Sequence, residues 1–254
     1  MSLWRRLRGN KEFSTNGCRI YAIGDVHGCF PLLVRLLQEI ERDQKERQPK
    51  ETHVVLLGDY IDRGPQSREV CQLLHAMNHS HYFHCLRGNH EQTMLDVLGG
   101  DRMALRFWLK YGGEETLLSW GIEAWLIERA YSSESAQIEL IQAFRRAVPP
   151  SFITWLGSLP SHHVHGDYLF VHAGIRPHAR LDEQVDDDLL WIREPFLSST
   201  ARHPWRVVHG HSVTSEVDIR HNRIGIDTGA FRSGVLSAVG IEEDANWVLQ
   251  ACAP

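Results

Sequence analysis

Cysteine is scarce in this 254-residue chain, and nothing about its spacing suggests pairing. Cys18, Cys29, Cys71, Cys85 and Cys252 are odd in number and contain no CxxC pair. That argues against a disulfide framework and against a thiolate zinc site, and it makes reducing cytoplasm the expected location. Long apolar runs are missing too. No window approaches the ~18 apolar residues of a spanning helix, so no membrane partner is expected. The opening Met1 to Lys11 is basic but lacks the apolar stretch of about 7–15 residues that marks a secretory signal, and we read residues 1–17 as a flexible basic tail. An excess of positive charge is also absent. With 27 Lys+Arg against 32 Asp+Glu the net charge is -5, and no aromatic-basic strip appears, so a nucleic-acid partner is not expected. The chain does have an ordinary globular composition, 43% hydrophobic and 23% charged, and enough length for one large core. It also has 16 histidines, several of them beside aspartate and glycine rather than within apolar runs.

Three strand-loop-helix units open the chain. Arg19 to Gly24, His53 to Leu57 and Tyr82 to Leu86 read as short strands, each leading to a glycine. Helical spacing follows over Pro31–Ile40, Gln66–Met77 and Glu91–Leu98, with the charged run 41–51 finishing the first helix in solvent. Such units imply parallel strands with right-handed crossovers. Residues 99–159 read as a helical insert, punctuated by Gly112-Gly113 and Pro149-Pro150. Short strands then recur at 163–165, 168–172, 206–209, 223–226, 235–239 and 247–251, without long helices. The expected architecture is an α/β sandwich around one core, in a single domain over 18–254.

Polar groups stand where strands end: Gly24-Asp25-Val26-His27-Gly28, Gly58-Asp59-Tyr60-Ile61-Asp62-Arg63-Gly64, Arg87-Gly88-Asn89-His90-Glu91 and Val171-His172-Ala173-Gly174. In a sheet with parallel strands the C-terminal ends open onto one crevice, so these segments should meet. Asp25 and His27, two apart, project the same way from extended backbone and can grip one cation. Asp59 repeats the strand-end carboxylate and can bridge to a second ion. Asn89 offers a neutral oxygen, and His172 and His211 offer imidazoles. This oxygen and nitrogen set suits Mn2+, Fe or Zn better than copper(I). It points to a two-metal hydrolytic centre, the ions ~3.5–4 Å apart with a water between them. His90 is free for proton transfer, with Asp62 as its partner. Arg63 and Arg193 can fork phosphate oxygens, and Arg87 is a weaker candidate.

Each feature alone has a plain reading: a Gly-Asp turn, a packed histidine, a surface ion pair. Agreement of order, spacing and strand-end placement over separated segments favours catalysis. The remaining histidines His75, His79, His81, His84, His162, His163 and His165 lack that support and are read as surface or packing residues. Trp108, Trp120, Trp125 and Trp155 are read as core or cap packing, with one able to flank a substrate.

The ordered motifs GDVHG, GDYIDRG, RGNHE, VHAG and HGH span residues 24–211. The chain thereby resembles the phosphoprotein phosphatases of the calcineurin-like metallophosphoesterase superfamily. The resemblance implies a β-sandwich flanked by helices, Asp25 and His27 on a first metal, Asp59 bridging, and Asn89, His172 and His211 on a second. It implies His90 with Asp62 as general acid and partner, and Arg63 on phosphate. Leu190-Trp191-Ile192-Arg193-Glu194 is similar to a segment of the bacterial and phage branch whose arginine contacts phosphate, and Asp227 matches an aspartate supporting the metal site. His209 stands where eukaryotic relatives often have arginine, and their tyrosine-bearing C-terminal segment has no match, so no regulatory subunit is expected. The implied substrate is a phosphorylated protein or small phosphoester. Symmetrical dinucleoside tetraphosphate hydrolysis is the nearest alternative, and a non-catalytic phosphate-binding module ranks below it. The helical insert is expected to shape the entrance to the crevice.

Overall fold

The computed structural model describes residues 13–253, and the part of the expected tail up to residue 12 lies outside them. Residues 13–17, also assigned to the tail, are fastened to the domain. The Ser14 amide donates to Asp167 Oδ2 at 2.9 Å, and the Asp167 amide donates back to the Ser14 carbonyl at 2.8 Å.

Among the described residues, ten strands form two five-stranded sheets. The first contains β1 (Arg19–Ile23), β2 (Thr52–Leu56), β3 (Phe83–Cys85), β9 (Val235–Glu242) and β10 (Ala245–Cys252), in the order β10-β9-β1-β2-β3. The second contains β4 (His162–His165), β5 (Tyr168–Val171), β6 (Arg206–His209), β7 (Asp218–Ile219) and β8 (Arg223–Gly225), in the order β4-β5-β6-β8-β7. Both sheets are mixed. The pairs β1/β2, β2/β3, β5/β6 and β6/β8 are parallel, with β3 at the edge of its sheet, while β9, β10, β4 and β7 pair antiparallel.

The expected helices are present as Phe30–Glu46, Ser67–Met77 and Asn89–Gly99, and the insert is a run of five helices from Arg102 to Ser158. Phe30–Glu46 carries Pro31 in its first turn, where the missing N–H costs nothing, and buries Leu32, Leu33, Leu36 and Ile40 at helical spacing. Among the described residues no helix is long and apolar enough to cross a membrane.

The single expected core is divided among layers, because both faces of the first sheet are covered. On β1, Ile20 and Ala22 pack toward the second sheet with Phe170, Val208 and Ile224, while Tyr21 and Ile23 pack under the helices and the insert. Period-two alternation with two apolar faces is why β1 reads as an unbroken apolar run. A third cluster, including Leu169, Val171 and Phe196, covers the outer face of the second sheet. Phe170 is fully buried between the sheets. Phe170→Ala should lower stability by about 3–5 kcal/mol through lost transfer energy and the cavity left behind, read from urea unfolding.

Candidate active site

All the strand-end segments converge where β1, β2, β5 and β6 end. Asp25, His27, Asp59, Asp62, Asn89, His90, His172 and His211 are each no more than 8% exposed. Five residues in this region, His27, Asp59, Asp62, Arg63 and His211, have positive φ between 43° and 74°, a conformation rare for residues with a side chain. Such strain collects where backbone geometry is dictated by the groups it must present.

Two groups of potential ligands share Asp59: His27, Asp59 and His90, and Asp59, His172 and His211, with ligand atoms in each group within 4.8 Å of one another. The His27 Nδ1–H donates to the Ile61 carbonyl at 2.8 Å, which leaves Nε2 as a lone pair. That Nε2 is buried without a hydrogen-bond partner and lies 3.5 Å from Asp59 Oδ2. His172 repeats the pattern. Its Nδ1 is held by the Leu57 carbonyl at 2.8 Å, and its Nε2 faces Asn89 Oδ1 at 2.8 Å and Asp59 Oδ1 at 3.4 Å. His211 Nδ1 lies 3.0 Å from the same Asn89 oxygen. Burial lowers His172, drives His27 down to about 3 and drives His211 down to about 2, so all three rings are neutral. Lone pairs facing an aspartate with no proton between them are the environment a cation completes.

Asp25 sits on the His211 amide, whose N–H lies 3.2 and 3.1 Å from its two oxygens. Burial, with Asp227 and Asp59 nearby, pushes its carboxyl well up. Burial likewise raises Asp227 to about 6, and its Oδ2 is buried without a hydrogen-bond partner. A Cβ at Gly210 would lie 2.1 Å from Asp25 Oδ1, and one at Gly88 would lie 2.2 Å from Asp59 Oδ1, so any side chain at either position displaces a carboxylate.

His90 opens the Asn89–Gly99 helix. Its Nδ1 contacts Asp62 Oδ2 at 2.5 Å, and its Nε2 lies 3.8 Å from Asp59 Oδ2 and 3.1 Å from Arg63 Nη2. Burial opposes a charge on this ring, but Asp59 and Asp62 outweigh it and lift the pKa to about 9. A guanidinium only donates, so the Arg63 contact opposes that charge, and withdrawal of Arg63 frees Nε2 for a proton.

Asp62 is fully buried and held by the insert, which sequence reasoning did not foresee. Trp108 Nε1–H donates to Oδ2 at 2.7 Å and the Thr116 hydroxyl to Oδ1 at 2.5 Å, while the Asp62 amide donates to Ser67 Oγ at 3.0 Å. Trp120 and Trp155 are buried and Trp125 is exposed, while Trp108 combines packing with this bond. Glu91, at the start of the expected third helix, has a further role. It is fully buried and accepts from the backbone amides of Gly88, Asp59 and Tyr60 at 2.8–2.9 Å, and burial lifts it to about 7. The Glu three residues past a glycine at a helix start was a visible capping signal.

The site opens into a cleft of about 440 Å³ lined by Asp59, Asn89, His90, Arg63, Arg193 and His211, with Phe107, Tyr111, Trp191, Phe231 and Arg232 on its walls. Arg193 is placed by bonds to Ser212 Oγ and the His211 carbonyl, both 3.3 Å. Arg87 is not among these lining residues and pairs with Asp186 at 3.1 Å, whereas Arg232, unmarked by any motif, takes a place in the cleft wall.

Residues 18–234 match the family of calcineurin-like phosphoesterases, and the chain belongs to it. It is therefore a hydrolase of the metallophosphoesterase class, whose members use divalent metals, and its His/Asp clusters suit such ions. It is 30% identical over 235 residues to serine/threonine-protein phosphatase 1 of Salmonella typhimurium, covering 89% of this chain and 94% of that protein. It is 24% identical over 241 residues to the asymmetrical bis(5'-nucleosyl)-tetraphosphatase PrpE of Halalkalibacterium halodurans, covering 87% and 89% respectively. Among solved structures, the cold-active protein-tyrosine phosphatase of a psychrophilic Shewanella superposes with a TM-score of 0.56 at 21% identity, covering 92% of this chain and 81% of that one.

Thr116→Val keeps the shape of the side chain but removes its hydroxyl from the Asp62 carboxylate. It should destabilise the fold by about 1–3 kcal/mol, the scale for a bond to a buried charge, measured by denaturant unfolding.

Proposed function

We propose that this protein is a cytoplasmic phosphomonoesterase that hydrolyses phosphoserine and phosphothreonine in proteins, with phosphotyrosine and small phosphoesters as further substrates. The observation that carries the reading is the pair of ligand groups sharing Asp59, which opens onto a cleft lined by Arg63, Arg193 and Arg232 and by a histidine bonded to a buried carboxylate. Asp25, His27 and Asp59 would hold one divalent ion and Asn89, His172 and His211 a second, with Asp59 common to both. The oxygen and neutral imidazole set favours Mn2+, with Fe or Zn also admitted. When bound, such ions supply a nucleophile from water near neutral pH and offset phosphate charge.

Arg63 and Arg193 hold the phosphate oxygens. Drawing Arg63 onto phosphate takes its guanidinium off His90 Nε2, and the ring, favoured as imidazolium by Asp59 and Asp62, then carries a proton beside the scissile bond. His90 donates that proton to the departing alkoxide, so serine or threonine leaves as a neutral alcohol, and solvent restores the proton. Asp62, immobilised by Trp108 and Thr116, keeps the ring oriented throughout.

A second reading rests on the aromatic wall. Phe107 lies 4.4 Å from Tyr111 and 5.8 Å from Trp191 between ring centroids, a surface on which a purine can stack. It favours a dinucleoside tetraphosphate as substrate. The deciding experiment is a panel of phosphoserine, phosphothreonine and phosphotyrosine peptides with diadenosine tetraphosphate, run with Mn2+. Much faster cleavage of the dinucleotide would overturn the protein-phosphatase reading. Two diphosphates as products would mark symmetrical cleavage, a triphosphate with a monophosphate asymmetrical cleavage.

His90→Asn should retain metal and slow turnover of phosphoserine by about 10²–10⁴-fold, the usual scale for a lost general acid. The loss should be much smaller with p-nitrophenyl phosphate, whose leaving group needs little protonation. An equal loss on both substrates would remove His90 from that role. Chelation should abolish activity and Mn2+ should restore it.

A further inference from the structure

The apolar interface between the sheets changes character at one corner. Ile20, Val55, Leu86, Tyr168 and Phe170 fill it, but along the same strands His53 and His84 from the first sheet meet His163 and His165 from the second. His84 stacks on His163 with centroids 4.1 Å apart, and the His53 and His165 rings approach to 4.6 Å. Cys18 joins them just before β1, held in a turn by its amide bond to the Thr15 carbonyl at 3.2 Å and by the Thr15 hydroxyl on its own carbonyl at 2.6 Å. Cys18, His53 and His165 each present a ligand atom, all within 4.8 Å of one another. This is the end of the sheet opposite Asp25, separated from it by the length of β1, about 17 Å at ~3.3 Å per residue.

We propose that Cys18, His53 and His165, with the Glu51 carboxylate as a fourth ligand, bind a divalent ion of the zinc class distinct from the catalytic centre. Packing alone would not require the outer contacts these rings make. The Nδ1 of His53 is 3.1 Å from His84 Nε2, and its Nε2 lies 3.2 Å from Glu51 Oε1. A ring nitrogen of His165 bonds the Thr15 backbone. His53 thus has Nδ1 held by His84 and Nε2 turned toward Glu51, an outer contact on one nitrogen of the kind common to metal-bound histidines. One sulfur, two nitrogens and one oxygen make a tetrahedral borderline set, and sulfur here marks zinc-class chemistry that the catalytic oxygen and nitrogen set does not share. Tetrahedral edges of about 3.3–3.8 Å follow from zinc–ligand lengths, so a small contraction brings Cys18, His53 and His165 to ligand spacing, and Glu51, beside His53 Nε2, supplies the fourth position by a side-chain movement.

The electrostatics agree. Burial pushes the Cys18 thiol up, and so do the Glu51 and Glu243 carboxylates, with Lys50 opposing, so the local potential favours a cation. Burial keeps His84 and His165 low and takes His163 down to about 4, so the rings are neutral. Binding would expel the thiol proton to solvent and tie the segment before β1 to both sheets.

Co2+ alone, titrated into the chelator-stripped full chain, tests the proposal. A near-ultraviolet thiolate-to-cobalt absorption should rise to one equivalent, vanish in Cys18→Ser and persist in Cys252→Ser. His84→Ala should weaken Co2+ binding by about 10–100-fold, the scale for outer partners of a ligand. Cys18→Ser should keep Mn2+-dependent p-nitrophenyl phosphate hydrolysis, which also shows that it folds. Absence of the band, or its survival in Cys18→Ser, would overturn the site. Because the catalytic ligands contain no sulfur, neither result touches the proposed phosphatase activity, and loss of that activity would not remove the band.

Discussion

Five carboxylates, those of Asp25, Asp59, Asp62, Glu91 and Asp227, are buried at one end of the paired sheets, and the surrounding structure answers to the cost of keeping them there. An uncompensated buried charge is far dearer than a buried amide, so each must find donors, a proton or a cation. Asp62 and Glu91 are provided for by the protein. Asp62 receives an indole, a hydroxyl and an imidazole, and Glu91 receives three backbone amides. Asp59 is different. Its oxygens face neutral imidazoles of His27 and His172 at 3.4–3.5 Å, lone pair toward charge. The folded chain thus divides its acids into two that brace the site and a set around Asp59 that calls for positive charge from outside.

That division also explains the backbone. Holding His27, Asp59, Asp62, Arg63 and His211 at positive φ costs on the order of 1–3 kcal/mol at each unusual position. The cost is met by rigid surroundings rather than by the loops themselves. Glu91 clamps the amides of Asp59 and Tyr60. The amides of Val26 and His27 both donate to the Asp59 carbonyl, at 3.0 and 2.9 Å, so the first two strand-end loops brace each other. The central parallel strands beneath them, buried on both faces, fix where the loops begin.

Much of this was legible because strand ends punctuate the sequence. A β-branched run, a glycine and an acid or imidazole recur in local motifs, and parallel order alone brings their ends together. What was hidden depends on distant chain. Trp108 and Thr116 lie 46 and 54 residues from Asp62, and nothing near either residue announces the bond. Arg232 enters the cleft through a four-residue helix, Ala230–Ser233, too short to read, whereas Arg87 sits beside the third motif yet turns to Asp186. The two-residue strand β7 was missed for the same reason. His84, His163 and His165 were read as surface or packing residues, and His53 only as the start of a strand, because the spacing within a strand shows which residues share a face, but not which strand of the other sheet lies opposite.

The insert was expected to shape the entrance, and its first helix, Arg102–Lys110, gives that idea a sharper form. Leu105, Trp108 and Leu109 lie on its buried face, and Trp108 reaches Asp62, while Phe107 and the capping residue Tyr111 line the cleft. One helix therefore supports the acid that orients His90 and supplies part of the wall that a substrate meets. Removing the insert would take away both together, and the indole and hydroxyl on Asp62 would be replaced by solvent or by nothing. A change in substrate preference would then be inseparable from the loss of the bonds that hold Asp62 against His90. Selectivity in this protein is instead open to substitution at Phe107 and Tyr111, which are 41% and 44% exposed, because their side chains can change without disturbing the buried face of the helix.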